Sequence, residues 1–261
     1  MSITYVYPQA LVLLVIFSVL IAAFAYAARR GFTLPVRRIE ALDRIDDIIG
    51  RATEMGGTLL MGTGAQGLNT SYAPEILMAF AAVRYVAERT AKLGTRLVVK
   101  TGSPDHIPII EDTIEQSSKI AGNPDYYRPD MIRFLGSGNA YISATVQLID
   151  PQSTENVKAL ISFGDSGGYG ASGPTIGMVA NVNGVMSLAG TSNIHQIHNY
   201  VACFDYAVIG DEVYALSAYL THEPHELGNV MGLDFSKMIV IVLMLAGFAY
   251  AAATGGKLLL R

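Results

Sequence analysis

The sequence predicts an α/β protein: a three-layer, Rossmann-like domain with a mostly parallel sheet, flanked by an N-terminal and a C-terminal transmembrane helix. Three observations carry that expectation. Residues Ala10 to Ala28 run nineteen positions without a charge and end at Arg29-Arg30; at ~1.5 Å per residue this helix matches a ~30 Å hydrocarbon core. A second apolar stretch, Phe235 to Ala253, has Lys237 as its only charge. Between them, strand-like runs alternate with helical periodicity, the pattern of a parallel sheet covered on both faces. The expected division is a first membrane helix at 8–30, an α/β domain at 31–230 and a second membrane helix at 234–254.

Pro8 suits the first turn of the first anchor, and Tyr5, Tyr7 and Tyr26 stand where interfacial aromatics lie. Ala25-Tyr26-Ala27 has the small-x-small form of a cleavage site, but a signal peptide needs basic residues before its apolar core and MSITYVYPQ has none. The basic residues follow instead: Arg29, Arg30, Arg37 and Arg38. By the positive-inside rule the expected location is the cell membrane, with the central domain cytoplasmic and both termini outside; Lys257 and Arg261 oppose this weakly.

Beyond the first anchor, Leu34-Pro35 breaks the helix. Ile39, Leu42, Ile45, Ile49 and Ala52 then recur three or four apart and predict an amphipathic helix ending at Gly56-Gly57. Thr58 to Met61 reads as a buried strand, Ile76 to Ala91 as a helix, and Thr95 to Lys100 (TRLVVK) as the clearest strand. Pro104-Asp105 opens a helix to about Ala121, and GNPDYYRPD is a loop. Ile132 to Leu135 is a short strand, Gly138 to Ile149 a helix, and Val157 to Phe163 (VKALISF) a second clear strand. Gly184 to Leu188 and Asp205 to Ile209 complete about six strands, with helices at Asn193 to Cys203 and Asp211 to Leu220.

The chain is 51% apolar and has one cysteine, which permits no internal disulfide and fits a reducing compartment. From Arg29 to Val230 there are fifteen Lys/Arg and twenty-one Asp/Glu; without the four arginines nearest the first anchor the balance is eleven against twenty-one. So acidic a surface argues against nucleic acid as a partner. The arginines at its base suit anionic lipid headgroups.

Chemistry could reside in three places. Gly62-Thr63-Gly64-Ala65-Gln66-Gly67 matches G-x-G-x-x-G after a strand, so Gly62, Gly64 and Gly67 are candidates for cradling a nucleotide phosphate or another small ligand. Against this, the next helix begins near Ser71 to Pro74, past the third glycine, and the next strand ends in Lys100-Thr101 rather than an acid. Gly164-Asp165-Ser166-Gly167-Gly168 matches G-x-S-x-G, with Asp205, Asp211, His222 and His225 downstream, so a serine hydrolase using Ser166, Asp205 and His222 is conceivable. The pattern also arises readily in a stretch as rich in glycine and serine as this one. His195 and His198 share a helix face, but no further ligands stand at recognisable spacing, so no metal is expected. Cys203 reads as a core residue.

LPVRRIEALDRIDDIIGRATEMG after the first anchor, GTGAQGL after the first strand and CFDYAVIGDEVYALSAYL before the second anchor together resemble a family of prokaryotic membrane proteins that is a domain of unknown function. The resemblance covers nearly the whole chain. It implies the architecture and a bacterial or archaeal setting, and it implies no activity and no site residues.

The leading expectation is a non-enzymatic, membrane-anchored protein that self-assembles through its α/β domain as a scaffold, with the lipid bilayer and copies of itself as partners and no cofactor. Leu245-Ala246-Gly247, the run Ala249 to Ala253, and Ala22, Ala23, Ala25, Ala27 and Ala28 give both anchors small faces suited to close helix packing. The alternatives are a nucleotide- or ligand-binding sensory module using the 62–67 loop and, behind it, the Ser166 hydrolase.

Overall fold

Six short apolar runs set the architecture: β1 (Thr58–Gly62), β2 (Arg96–Thr101), β3 (Ile132–Phe134), β4 (Val157–Ser162), β5 (Met186–Thr191) and β6 (Tyr206–Ile209). They form one sheet in the order β3-β2-β1-β4-β5-β6, every neighbouring pair parallel. β1 is central and buried at all five positions, as a parallel strand covered on both faces must be. The computed structural model describes residues 8–32, 38–164 and 172–253.

The helices are α1 (Pro8–Arg29), α2 (Glu40–Asp43), α3 (Ile45–Glu54), α4 (Ala73–Leu93), α5 (Ile107–Ile120), α6 (Asn139–Ile149), α7 (Ser172–Val182), α8 (Ile197–Cys203), α9 (Leu216–Thr221) and α10 (Pro224–Ala253). The chain divides into two compact units, residues 37–221 forming one and the two terminal segments the other.

In the α/β unit, alternate strand residues feed two cores. Leu59, Met61, Leu97, Val99, Ala159, Ile161, Leu188 and Val208 join Ile45, Ile48 and Ile49 of α3, the apolar stripe of α4, and Ile110 and Ile114 of α5. Leu60, Val98, Leu160 and Ala189 face the other way and meet Tyr141 and Ile149 of α6, Ile176 and Ala180 of α7, and Tyr200 of α8. The result is the three-layer α/β arrangement expected.

Some boundaries differ from the sequence reading. The first amphipathic helix is two pieces separated at Arg44. The fifth strand runs from Met186 to Thr191 rather than from Gly184 to Leu188, because Gly184 turns at φ +66 and Val185 still closes α7 by donating to Ala180 O. Gly190 extends that strand because the Phe163 ring occupies the place of a side chain there. The helix expected from Asn193 starts at Ile197, since the Asn193 carboxamide accepts from the His195 N–H at 3.1 Å and makes a turn first. The helix expected at Asp211 begins as a 3-10 stretch, Gly210–Ala215.

The terminal unit pairs α1 with α10. Both are long and apolar enough to cross a membrane. α10 starts at Pro224 rather than 234 and is 30 residues long, so at ~1.5 Å per residue it exceeds a hydrocarbon core by about half. Pro224 at the start and Glu226 in the first turn suit a helix N-terminus.

Candidate functional site

Among parallel α/β sheets, ligands sit beyond the C-terminal strand ends where the strand order reverses. Here that point lies between β1 and β4, with β2 beside β1. The register places Lys100, Gly62 and Ser162 in one row across β2, β1 and β4. All three share the face that carries Leu60, Val98 and Tyr141. Lys100 is fully buried, and its Nζ donates to the Tyr141 hydroxyl at 2.8 Å, 4.2 Å from that ring's centre. A Cβ added at Gly62 would stand 2.9 Å from Ser162 Oγ and 3.0 Å from both Lys100 Nζ and Tyr141 OH. Glycine therefore lets three polar groups close over one backbone position.

No carboxylate neutralises Lys100 among the described residues, so burial alone pushes its ammonium from 10.5 down to about 7. Burial pushes the Tyr141 phenol well above its usual range, against a hydrogen bond from the backbone of Gly64. Near pH 7 a large share of molecules therefore carries both groups neutral. The phenol proton can then lie on the lone pair of the Lys100 amine, while Gly64 N–H supports the phenol oxygen.

The opposite face of the same edge holds a second polar group. His106 is fully buried, with Nδ1 at 2.8 Å from Thr101 Oγ1 and 3.2 Å from Thr63 Oγ1, and Phe80 edge-on at 5.2 Å. Its Nε2 is 3.9 Å from Asp105 Oδ1. Burial lowers the imidazole pKa, and the Asp105 carboxylate works against that shift.

The candidate glycines close this edge. Gly62 ends β1, Gly64 follows at φ +87, and Gly67 lies beside Asn69, Ser103 and Asp105. The Asp105 carboxylate accepts from Leu68 N at 2.9 Å, so an internal anion occupies one amide that would otherwise face a phosphate. Gly102 donates to Gly64 O at 2.9 Å and Phe163 to Gly62 O at 3.0 Å. Side chains at Gly102 or Gly164 would strike Ala65 or Thr63 O at 2.5 Å. α4 begins at Ala73, six residues after Gly67, whereas a dinucleotide fingerprint places its third glycine within the helix.

Ser166 lies outside the described residues. Asp205 stands just before β6, at the sheet's N-terminal edge, where it accepts from Ser187 N at 2.7 Å and Ser187 Oγ at 3.0 Å. The strand that precedes Ser166 ends at the opposite, C-terminal edge, so the fold does not bring Asp205 to that edge. His222 belongs to the terminal unit. Among the described residues no group of three or more His, Cys, Asp or Glu could hold a metal ion.

An open groove of about 530 Å³ lies at the N-terminal strand ends, lined by Thr53, Gly57, Thr95, Arg96, Glu155 and Asn156 among others. Glu155 there accepts from Arg133 at 2.6 Å and Arg96 at 3.2 Å, and Arg96 also reaches Asp130 at 2.9 Å.

The two helical layers differ in charge. α3, α4 and α5 carry acidic and basic residues throughout, including the Arg89–Asp46 pair at 2.9 Å and Lys119–Glu115 at 2.6 Å. α6, α7 and α8 contain no Asp, Glu, Lys or Arg. They nonetheless expose Met178 (59%), Val182 (86%) and Val201 (56%). The sequence marks α6 and α8 as helices but not α7, whose glycines and proline (SGPTIGMVANV) read as part of a glycine-rich passage, and nothing in the sequence alone shows that the three share one uncharged layer.

A family model described as a domain of unknown function (DUF6754) matches residues 4–258. No curated protein and no solved structure matches the chain.

Proposed function

The chain belongs to that family of unknown function, and from this premise we propose that it is a membrane-anchored assembly protein whose α/β unit associates with copies of itself through the layer of α6, α7 and α8. One observation carries the reading: a complete helical layer without an ionisable Asp, Glu, Lys or Arg, with three large apolar side chains exposed on it. Depletion of charge together with exposed apolar residues is the signature of an interface centre.

The partner argued for is a second copy. With thirteen basic against nineteen acidic residues in 37–221, two such units repel wherever their charged faces meet. The uncharged layer is where like units can approach without apposing like charges. α1 and α10, as membrane anchors, would raise the local concentration of copies and so favour a contact too weak to hold in solution.

The test is the particle mass of the full chain in detergent, with the detergent contribution subtracted. The reading expects a discrete multiple of 27.9 kDa that falls in the Met178→Glu, Val182→Glu double variant and stands in Glu115→Lys. A single-chain mass for the native protein, or a multimer indifferent to the double variant, overturns it.

A further inference from the structure

We infer that Lys100 is a carbonyl-reactive amine, poised to form an imine with a small aldehyde, with Tyr141 as its proton-transfer partner. Four observations converge on Lys100. Its Nζ sits in register with Gly62 and Ser162 at the ends of β2, β1 and β4, beside the point where strand order reverses. It is fully buried and has no carboxylate partner among the described residues. A phenol, itself buried, lies at hydrogen-bond distance, 2.8 Å. Gly62 supplies no side chain, so Nζ, Tyr141 OH and Ser162 Oγ all converge on the space its Cβ would take.

These are the parts an amine nucleophile requires. Desolvation leaves a large share of the amine unprotonated near neutral pH, and a phenol able to give up and take back a proton stands within one hydrogen bond. The backbone amide of Gly64 works in the direction of the phenolate form of Tyr141. A merely structural lysine would reach solvent or meet a carboxylate, because an unpaired buried ammonium is costly.

The step balances without an oxidant or reductant. The Nζ lone pair attacks the aldehyde carbon and a C–N bond forms. The carbonyl oxygen takes the Tyr141 proton, and the new ammonium returns one to the phenolate. Loss of the hydroxyl with a second proton then breaks the C–O bond, releasing water and leaving the imine. Lys100 is wholly shielded from bulk solvent, which restricts the substrate class to small aldehydes.

The experiment incubates the intact protein in detergent at pH 7 with propionaldehyde and cyanoborohydride, which traps an imine as a stable secondary amine, and maps the label by peptide mass. An exposed lysine is neutral in about one molecule in 2,500 at pH 7, and Lys100 in about half, so selectivity on the order of a thousandfold in reactive amine is available. The inference expects Lys100 to label ahead of Lys92 and Lys119, and faster than global unfolding measured by pulse proteolysis under the same conditions. Tyr141→Phe should slow labelling by tenfold or more without moving its site, and Lys100→Met should abolish it. Labelling of other lysines with none at Lys100, or labelling of Lys100 only at the rate of unfolding, overturns the inference. An unchanged rate in Tyr141→Phe removes the tyrosine from it.

Discussion

Gly228 and Ala25 approach so closely that a methyl group on the glycine would stand 2.7 Å from the alanine Cα. One turn further along α10, a methyl group on Gly232 would stand at the same 2.7 Å from the Cα of Ile21. Ser236 continues the stripe, buried, with its hydroxyl donating to Gly232 O at 2.7 Å, and Phe24 stacks on Phe235 at 4.7 Å. Where lipid removes the hydrophobic drive between helices, such backbone proximity is the main source of pairing. Gly232→Leu should therefore lower the stability of the pair by about 1–3 kcal/mol through overpacking. Gly247→Ala, with nothing near its missing side chain, should stay within about 0.5 kcal/mol. Thermal melting of the two variants in detergent separates these outcomes.

Lys100 makes a pH prediction. Its folded-state pKa is lowered by burial to about 7 from 10.5. Between those values the unfolded chain binds more protons than the folded one, so stability rises with pH through that window. The penalty is complete below pH 7 and absent above about 10.5. Lys100→Met removes the group that pays it, so the variant should be more stable than the native protein at pH 7. The advantage should shrink as pH approaches 10. Urea midpoints at pH 7, 8 and 9 measure the slope, and parallel curves for native and variant protein would contradict the prediction.

Glu155 is the common acceptor for Arg96 and Arg133, with its side chain only 9% exposed. Glu155→Gln would leave two guanidinium groups facing a neutral amide. Both arginines are more than a third exposed, so water softens the loss, and a cost of about 2 kcal/mol is expected rather than the full penalty of a broken buried pair. The measurement is the denaturant midpoint of Glu155→Gln against the native protein, with Lys119→Gln at an exposed i, i+4 pair as the variant expected to change little.

Legibility followed burial. TRLVVK and VKALISF declared themselves as strands because parallel strands buried on both faces need unbroken apolar runs. The same rule hid Lys100, which reads as the polar end of a strand although its side chain lies inside. Tyr141 looked like one more apolar helix residue, and only the sheet's register brings it to Lys100. Gly228 and Gly232 escaped notice because Glu226, Asn229 and Asp234 interrupt the apolar pattern around them. The sequence instead drew attention to Gly247, which stands in open space. The 62–67 loop was visible as a motif, but its packing against Gly102 and Gly164 depends on residues distant in sequence.

That packing supplies the last prediction. At Gly62 a methyl group would press on Ser162 Oγ, Lys100 Nζ and Tyr141 OH together, so Gly62→Ala must push the amine and the phenol apart or move β1. Separating them leaves the Tyr141 proton and the Lys100 lone pair without each other inside an apolar layer, at about 1–3 kcal/mol for each unsatisfied group. Gly62→Ala should thus destabilise the α/β unit by at least that amount. In the Lys100→Met background one of the two polar partners is already gone, so the same substitution should cost less. A double-mutant cycle of denaturant midpoints reads the coupling directly. Additive effects would mean that the glycine serves the backbone alone and not the lysine–tyrosine pair.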